Sequence, residues 1–481
     1  MLGVKKKPVI DWRWPEHGVS EEGVGELIHE IGKIDSLYQA EVPPVCYPGT
    51  NLEFDPRVER VILDLLGKNP NLIGTHTHGV HHKGIFEKRD GEGGFEIAQR
   101  MEAMVLWMLA GMIGGTPETV DGLFCGGGTE ANLQGMWIGR QWLRRQQNPQ
   151  GLGTVVLASS LVHYSVNKAA QILDLGGGQW SQCTRCRESH LFLPDHSGSG
   201  VNLVGTNERY EMSITDLERV FRLKYAEGFR RFMIVATVGT TSMGSVDPIG
   251  QISDFVERMH HETSARIYVH VDASFGGFTV PFVSPERIGF EHPAVMSVTI
   301  DGDKMGRLPY PAGVFLCRKG LSSLVARKVN YVRGGEDDSV SGSRSALPAV
   351  LAYYQFRTGG VKAQREYVQA CLDARQRLAE LFHTELSAAA VMPYNAGINM
   401  LPFRVLTDSG KIPEKLLALK KSRKGKLAPL EHLHLRSDMV PGVPGDVTSC
   451  PMVVYKVCVM PHHLRSGAIE GFVAALKEHL R

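Results

Sequence analysis

Three short motifs carry groups that could bind or activate a small molecule, and the first is a glycine turn. Gly126-Gly127-Gly128-Thr129 follows the apolar segment Leu123–Cys125 and opens a helical pattern. Backbone N–H groups and the positive end of a helix dipole favour an anion at such a turn, and Thr129 can donate its hydroxyl to a phosphate. The turn matches neither the Rossmann nor the Walker pattern. A turn that only redirects the chain is the competing interpretation.

The second and third motifs place a carboxylate and a lysine after apolar strands. Asp272 follows Ile267–Val271, and Lys304 follows Met296–Ile300. Open α/β sheets bind their ligands at the carboxyl ends of strands. A buried carboxylate there needs a positive partner, and a buried lysine near an electrophilic carbonyl can form a Schiff base. Taken singly, Asp272 is more simply a cap and Lys304 an ordinary surface lysine.

The elements that must position these motifs are predicted from hydrophobic patterning. Five apolar segments lack apolar/polar alternation, which is typical of strands covered on both faces in a mostly parallel sheet: 154–158, 232–237, 267–271, 296–300 and 314–317. Helical patterns alternate with them, so residues 96–355 are predicted to form a large α/β domain. Residues 1–95 form an irregular N-terminal segment, and 356–481 are predicted to form a smaller α+β domain.

Length and composition limit the classes of protein. The 481 residues imply two or three packed domains, and 53 basic against 51 acidic side chains leave a net charge of +2. No global field favours nucleic acid or a membrane surface, and no apolar stretch approaches the ~20 residues that span a bilayer. Eight dispersed cysteines and an N-terminus without a signal-peptide pattern indicate a cytoplasmic protein. The basic segment 411–426 is interpreted as a solvated insertion.

In this order, the three motifs resemble those of the group II pyridoxal-phosphate-dependent amino-acid decarboxylases of fold type I. The closest likeness is to the bacterial and archaeal tyrosine, aspartate and glutamate decarboxylases. The resemblance extends from about Asn69 to the C-terminus and implies an aspartate-aminotransferase-like fold with a large and a small domain. It includes four further segments: 162–168 around His163, 236–241 around Thr240, Tyr331 with Arg344 thirteen residues later, and 455–461.

The resemblance implies pyridoxal 5'-phosphate as cofactor, joined covalently to Lys304. It places Asp272 at the pyridine nitrogen, where a carboxylate keeps the ring protonated so that it accepts electrons released at the substrate Cα. His163 is expected to stack on the ring. The remaining expected cofactor contacts are Gly128, Thr129, Thr240, Ser274 and Asp301. Tyr331 resembles the family's proton donor, which favours simple decarboxylation over aldehyde formation.

On the substrate side, Thr75 and His76 lie in a segment that resembles the family's N-terminal pocket, and Arg344 is a candidate substrate contact. The resemblance also implies a homodimer with the active site at its interface. Nearby histidines lack an acidic or cysteine partner at fixed spacing, and the CxxC at 183–186 lacks a second pair, so no metal site is expected.

One position departs from the family pattern, because Asp303 stands where the family usually has histidine before the lysine. A carboxylate ~4 Å from a phosphate costs on the order of 1–4 kcal/mol. Asp303 is therefore expected to turn away or to be neutralised by a cation such as Arg307. The expected function is decarboxylation of an aromatic or acidic L-amino acid. The alternatives are carbon–carbon cleavage, as in the sphingosine-phosphate-lyase branch of the fold, and a degenerate cofactor-binding protein.

Overall fold

The strands and helices are those of a computed structural model. It describes residues 20–32, 57–68, 96–148, 151–176, 178–182, 189–194, 200–330, 335–406, 416, 432–442 and 451–480. The strands are β1 (Val120–Cys125), β2 (Thr154–Ser159), β3 (Gly178–Gln182), β4 (Ser189–Pro194), β5 (Gly200–Val204), β6 (Arg231–Thr237), β7 (Arg266–Ala273), β8 (Val295–Asp301), β9 (Gly313–Arg318), β10 (Arg327–Val329), β11 (Gly335–Asp337), β12 (Ala389–Val391), β13 (Met400–Val405), β14 (His432–Leu435) and β15 (Met452–Cys458).

The helices of the described residues are α1 (Glu21–Gly32), α2 (Arg57–Lys68), α3 (Glu96–Met112), α4 (Gly128–Arg144), α5 (Tyr164–Ile172), α6 (Ile214–Ala226), α7 (Ile249–Glu262), α8 (Val280–Val283), α9 (Leu347–Glu385), α10 (Pro461–Arg465) and α11 (Ala468–Leu480). No helix in this part of the chain is long and apolar enough to cross a bilayer.

A seven-stranded sheet forms the centre of the large domain, in the order β1-β9-β8-β7-β6-β2-β5. The pairs among β5, β2, β6, β7 and β8 are parallel, and β9 runs antiparallel to both β8 and β1. Along β2, Val155 and Leu157 pack into one hydrophobic core and Val156 and Ala158 into another. Both faces are therefore covered, which explains the missing alternation and confirms the predicted α/β fold with a mostly parallel sheet.

Strand register brings the three motifs to one edge of this sheet. Cys125 at the end of β1 and Asp301 at the end of β8 both pair with Gly313. Thr237 at the end of β6 pairs with Asp272 in β7. The glycine turn, the carboxylate and the lysine therefore meet where parallel strands end, as in other open α/β sheets.

The C-terminal residues form a second, antiparallel sheet in the order β12-β13-β15-β14. Phe403 and Tyr455 of this sheet pack with Phe382 of α9 and Phe472 of α11. Helix α9 spans the two regions, with a kink at Gly360 where φ is 67°. The predicted boundary between residues 355 and 356 falls inside this helix shortly before the kink, and the domain division stays a prediction.

Candidate active site

A cavity of about 710 Å³ opens at the carboxyl edge of the large sheet. It lies over the N-terminus of α4, between the ends of β7 and β8 and the start of α5. Seven of the residues predicted from the sequence line it together: Gly128, Thr129, His163, Asp272, Ser274, Asp301 and Lys304. The sheet thus assembles groups that are distant in the chain, such as Gly128 and Asp301, which are 173 positions apart.

Asp272 presents a buried carboxylate to this cavity. It lies inside β7 rather than just past its end, because its pairing with Thr237 and Thr299 extends the strand to Ala273. Ser274 donates to Oδ1 over 2.5 Å, and Asn132 Nδ2 donates to Oδ2 over 2.8 Å. Burial acts to raise the pKa of Asp272, but the Ser274 hydrogen bond and the charge of Lys304 outweigh it and hold this pKa below its ordinary value. The carboxylate is therefore ionised.

Lys304 follows β8 and enters the same cavity. Its Nζ lies 3.6 Å from Oδ2 of Asp301, and its side chain is 27% exposed. The same carboxylate oxygen accepts the backbone N–H of Gly128 over 3.0 Å. Burial, followed by the neighbouring Asp303 side chain, raises the pKa of Asp301 to about 8 against the opposing charge of Lys304.

Asp303 lies next to Asp301 and not among the residues that line the cavity. Both of its carboxylate oxygens are buried. The Asp303 side chain lies close enough to Tyr310 to raise the pKa of that phenol, and burial adds to this shift. The guanidinium of Arg307 lies 4.7 Å from the ring centroid of Tyr367. Neutralisation of Asp303 by Arg307 stays a prediction.

His163 caps the N-terminus of α5 at the side of the cavity. Its Nδ1 lies 2.8 Å from Ser165 Oγ, and its ring centroid lies 4.3 Å from that of Tyr164. Burial lowers the pKa of His163, the Asp272 carboxylate opposes this shift, and Lys304 adds to it. The imidazole is therefore neutral at pH 7 and can pack against a cationic ring without charge repulsion.

Two predicted site residues are engaged elsewhere. Thr240 is fully buried in the loop after β6, with its Oγ1 2.7 Å from Ser245 Oγ, while its neighbours Gly239 and Thr241 line the cavity. Arg344 is buried in an ion pair in which Nη1 lies 2.6 Å from Oε1 of Glu102. Both predicted contacts, with cofactor and with substrate, stay predictions.

Three further predicted residues, Thr75, His76 and Tyr331, lie outside the described residues, as do the nearby histidines and the CxxC segment. Within the described ranges, no group of three histidine, cysteine or acidic side chains is placed to hold a metal ion.

Two buried polar residues near the cavity were not predicted. Lys456 is 4% exposed, lies on β15 and lines the cavity. Asn132 is 1% exposed on the first turns of α4, against Asp272. A lysine inside the apolar segment 452–460 was a usable signal, because lysine is almost never fully buried unless paired. The asparagine gave no comparable signal, since its partners are distant in sequence.

The cofactor implied by the resemblance can be tested against these groups. The Asp272 carboxylate suits a pyridine N–H, and the Lys304 amine suits an aldehyde. The N-terminus of α4 suits a phosphate. A Cβ at Gly128 would lie 2.6 Å from Ser274 Oγ and 2.9 Å from Asp301 Oδ2, so a side chain there would displace these two groups. Oδ1 of Asp301 is buried and lacks a partner among the described residues. The donor set fits pyridoxal phosphate, and the Asp301 carboxylate lies at the helix end that suits the phosphate.

Comparison with known proteins supports the same assignment. A family model described as the pyridoxal-dependent decarboxylase conserved domain matches residues 97–405. This match confirms the expected family and its cofactor.

Two relatives and one solved structure show how far the similarity extends. The chain is 28% identical to a tryptophan decarboxylase of Clostridium sporogenes over 60% of each chain. It is also 28% identical to an L-aspartate decarboxylase of Thermococcus kodakarensis, over 97% of this chain and 98% of that protein. A solved glutamate decarboxylase of Lactobacillus brevis shares the fold, with a TM-score of 0.71, 16% identity and coverage of 99% of this chain and 96% of that one.

Proposed function

The chain belongs to the pyridoxal-dependent decarboxylase family, whose members are carboxy-lyases that use pyridoxal 5'-phosphate, and we propose that it releases CO₂ from an acidic L-amino acid. The observation that carries this proposal is the convergence of the ionised Asp272, Lys304 and the α4 N-terminus on one cavity. When bound, the cofactor supplies an electron sink for the electron pair released at the substrate Cα.

The residues of the chain have separate tasks in this reaction. Lys304 would hold the cofactor through its aldehyde. Asp272 would hold a proton on the ring nitrogen, so that the bound ring could accept the negative charge that develops during bond cleavage. His163, neutral at pH 7, covers one ring face and excludes water from it. Tyr331 is assigned as the donor of the proton that Cα receives after CO₂ leaves.

The acidic substrate is proposed from the charge of Lys456. This lysine is 4% exposed, lines the cavity, and lies close enough to His163 for its charge to lower the pKa of that imidazole. Its ammonium places a positive charge at the cavity wall, which attracts the side-chain carboxylate of a bound aspartate or glutamate. The name of the Thermococcus relative agrees with this choice. The name of the Clostridium relative supports an aromatic substrate instead. A screen of amino acids distinguishes the two substrate classes.

We also propose that a second copy of the chain covers the mouth of the cavity. Four cavity-lining apolar side chains are exposed in the single chain: Tyr164 (55%), Ile172 (60%), Tyr310 (76%) and Val340 (39%). Exposed apolar groups clustered around one opening are typical of an interaction surface. A homodimer with its active sites at the interface would bury them.

A screen of L-amino acids for CO₂ release, with added pyridoxal phosphate, tests the proposal. The expected result is CO₂ and the matching amine from aspartate or glutamate, lost in Lys304→Ala and reduced in Tyr331→Phe. Lys456→Met should raise KM for the acidic substrate, whereas Lys168→Met, at an exposed lysine of the same cavity, should leave it nearly unchanged.

Three other outcomes would overturn it. CO₂ from aromatic amino acids alone would reject the acidic substrate. Aldehyde and phosphoethanolamine from a phosphorylated amino alcohol would indicate a carbon–carbon lyase. Bound cofactor with no turnover of any substrate would indicate a degenerate protein.

A further inference from the structure

A continuous chain of buried polar side chains runs beneath the cavity and ends at His163. Five of its members are at most 1% exposed: Tyr268, Ser297, His270, Asn132 and Ser165. The proposed reaction gives a task to only two of the residues it touches, Asp272 and His163. The others occupy the core of the sheet, where an unpaired polar group is costly, so their hydrogen bonds need an account.

Asp272 determines which groups donate and which accept in this series of hydrogen bonds. An ionised carboxylate can only accept, so Asn132 must donate through Nδ2 to Oδ2 over 2.8 Å. The second Nδ2 hydrogen goes to Ser165 Oγ over 2.9 Å. Oδ1 of Asn132 is then left as the acceptor for Nε2 of His270, at 3.0 Å.

The donors and acceptors at the far end of the series, from His270 to Tyr268, follow from this assignment. Complete burial lowers the pKa of His270 to about 4, so the ring is neutral and its one proton is on Nε2, facing Asn132 Oδ1 and, at 3.3 Å, Thr299 Oγ1. Nδ1 of His270 therefore accepts from Ser297 Oγ at 2.8 Å. Ser297 in turn accepts from the Tyr268 hydroxyl over 2.9 Å.

At the cavity end, the hydrogen bonds can also be assigned a donor and an acceptor. Because Ser165 Oγ accepts from Asn132, its own proton is free to go to Nδ1 of His163, at 2.8 Å. The backbone N–H of Ser165 also points to Nδ1, at 3.4 Å. Nδ1 is thus an acceptor, and the proton of the neutral His163 ring is on Nε2.

The packing of α4 preserves this arrangement. One turn after Asn132, a Cβ at Gly135 would lie 2.5 Å from Nδ1 of His270. Only glycine allows the helix to approach the ring closely enough for Asn132 and His270 to remain in hydrogen-bonding distance.

We propose that Asn132 is a positioning residue of the active site, which holds Asp272 directly and sets the Nε2–H tautomer of His163 through Ser165. One amide thereby fixes both groups that face the cofactor ring, the carboxylate at its nitrogen and the imidazole at its face. The link to the cofactor rests on the proposed function, whereas the tautomer is a property of the protein itself.

The tautomer of His163 can be measured by solid-state nitrogen NMR of protein labelled with ¹⁵N-histidine, with the His163→Asn spectrum assigning the signal. Wild type is expected to show His163 protonated on Nε2, and both Asn132→Ala and Ser165→Ala should populate the Nδ1–H form. Ser165→Thr keeps the hydroxyl and should restore the wild-type signal. In parallel, Asn132→Ala should raise the dissociation constant for pyridoxal phosphate by roughly tenfold to a hundredfold, since a hydrogen bond to a buried charge is lost.

A matched control is Asn202→Ala. Asn202 is also buried, at 3% exposure, but donates to the Gly200 carbonyl in β5 and does not line the cavity. This variant should lower the melting temperature without changing the tautomer or the cofactor affinity. If Asn132→Ala does not fold, Ser165→Ala decides the outcome.

An Nδ1–H signal for His163 in wild type, or variants with unchanged tautomer and affinity, would overturn the proposal. Neither result depends on turnover. Absence of CO₂ release together with the expected tautomer would therefore reject the proposed function and leave this inference standing.

Discussion

The backbone N–H of Gly128 donates to Oδ2 of Asp301 over 3.0 Å. A carboxylate of the chain therefore occupies the N-terminus of α4, at the place where a helix end favours an anion. Lys304 lies 3.6 Å from the same oxygen, so this lysine and the glycine turn share one acidic neighbour. The charge state of Asp301 and Asp303 should consequently control how tightly a phosphate is held.

Gly128→Ala tests the close contact at this turn. The added Cβ would lie 2.6 Å from Ser274 Oγ, and overpacking of this kind costs about 1–3 kcal/mol. We expect pyridoxal phosphate to bind roughly fivefold to a hundredfold more weakly, measured by fluorescence quenching. Gly111→Ala is the control, because a Cβ at that helical glycine meets nothing within 4 Å. Equal affinities of the two variants would mean that the turn does not contact the cofactor.

Asp303→Asn tests whether the negative charge of Asp303 weakens the binding of the cofactor phosphate. Since the Asp303 side chain helps to raise the pKa of Asp301 to about 8, the Asp301 carboxyl holds a proton below that pH and adds a negative charge above it. Removal of one charge should therefore tighten pyridoxal phosphate about fivefold above pH 8, from on the order of 1 kcal/mol of repulsion, and much less at pH 6. Pyridoxal, which lacks the phosphate, serves as the control ligand. An unchanged affinity at every pH would show that position 303 does not influence the phosphate.

Asp301 should also make stability depend on pH. Its folded-state pKa of about 8 lies above its ordinary value of 3.8, so the native state binds more protons than the unfolded state between these values. The contribution of Asp301 protonation to the free energy of unfolding is complete below about pH 4 and is lost as the pH rises through 8. Asp301→Asn mimics the protonated form, so its advantage over wild type in urea unfolding should grow from pH 5 to pH 8. A difference that stays constant, or shrinks, over this range would refute the assignment.

Substitution of Arg344, which forms a buried ion pair with Glu102, tests whether this arginine has a structural or a substrate-binding role. The two side chains are 6% and 10% exposed, and Glu102 Oε1 also accepts the N–H of Phe124 over 2.8 Å. Arg344→Met leaves this carboxylate buried without its cation, which should cost about 3–5 kcal/mol of unfolding free energy. Adding Glu102→Gln should recover part of the loss. A raised KM with unchanged unfolding would support the substrate contact predicted from the sequence.

The strands could be predicted because burial on both faces leaves a local signature. Ile267–Val271 is continuously apolar, and the observed β7 differs only by the added residues Arg266, Asp272 and Ala273. Those additions follow from parallel pairing with β6 and β8, which no local pattern encodes.

The partners of the site residues could not be predicted in the same way. Asn132 and Asp272 are 140 positions apart, and Glu102 and Arg344 are 242 apart. Their contacts depend on sheet order and strand register. Motif resemblance identified Arg344, but only the packing of the large domain shows that its guanidinium is held by Glu102.

The covalent bond between Lys304 and the cofactor is the most direct test of the account. Borohydride reduction of the holoenzyme, followed by peptide mapping, fixes the cofactor to the lysine that holds it. The predicted result is a pyridoxyl group on the peptide that contains Lys304. A label on Lys168 or Lys456, which line the same cavity, or no label on any peptide, would contradict the assignment.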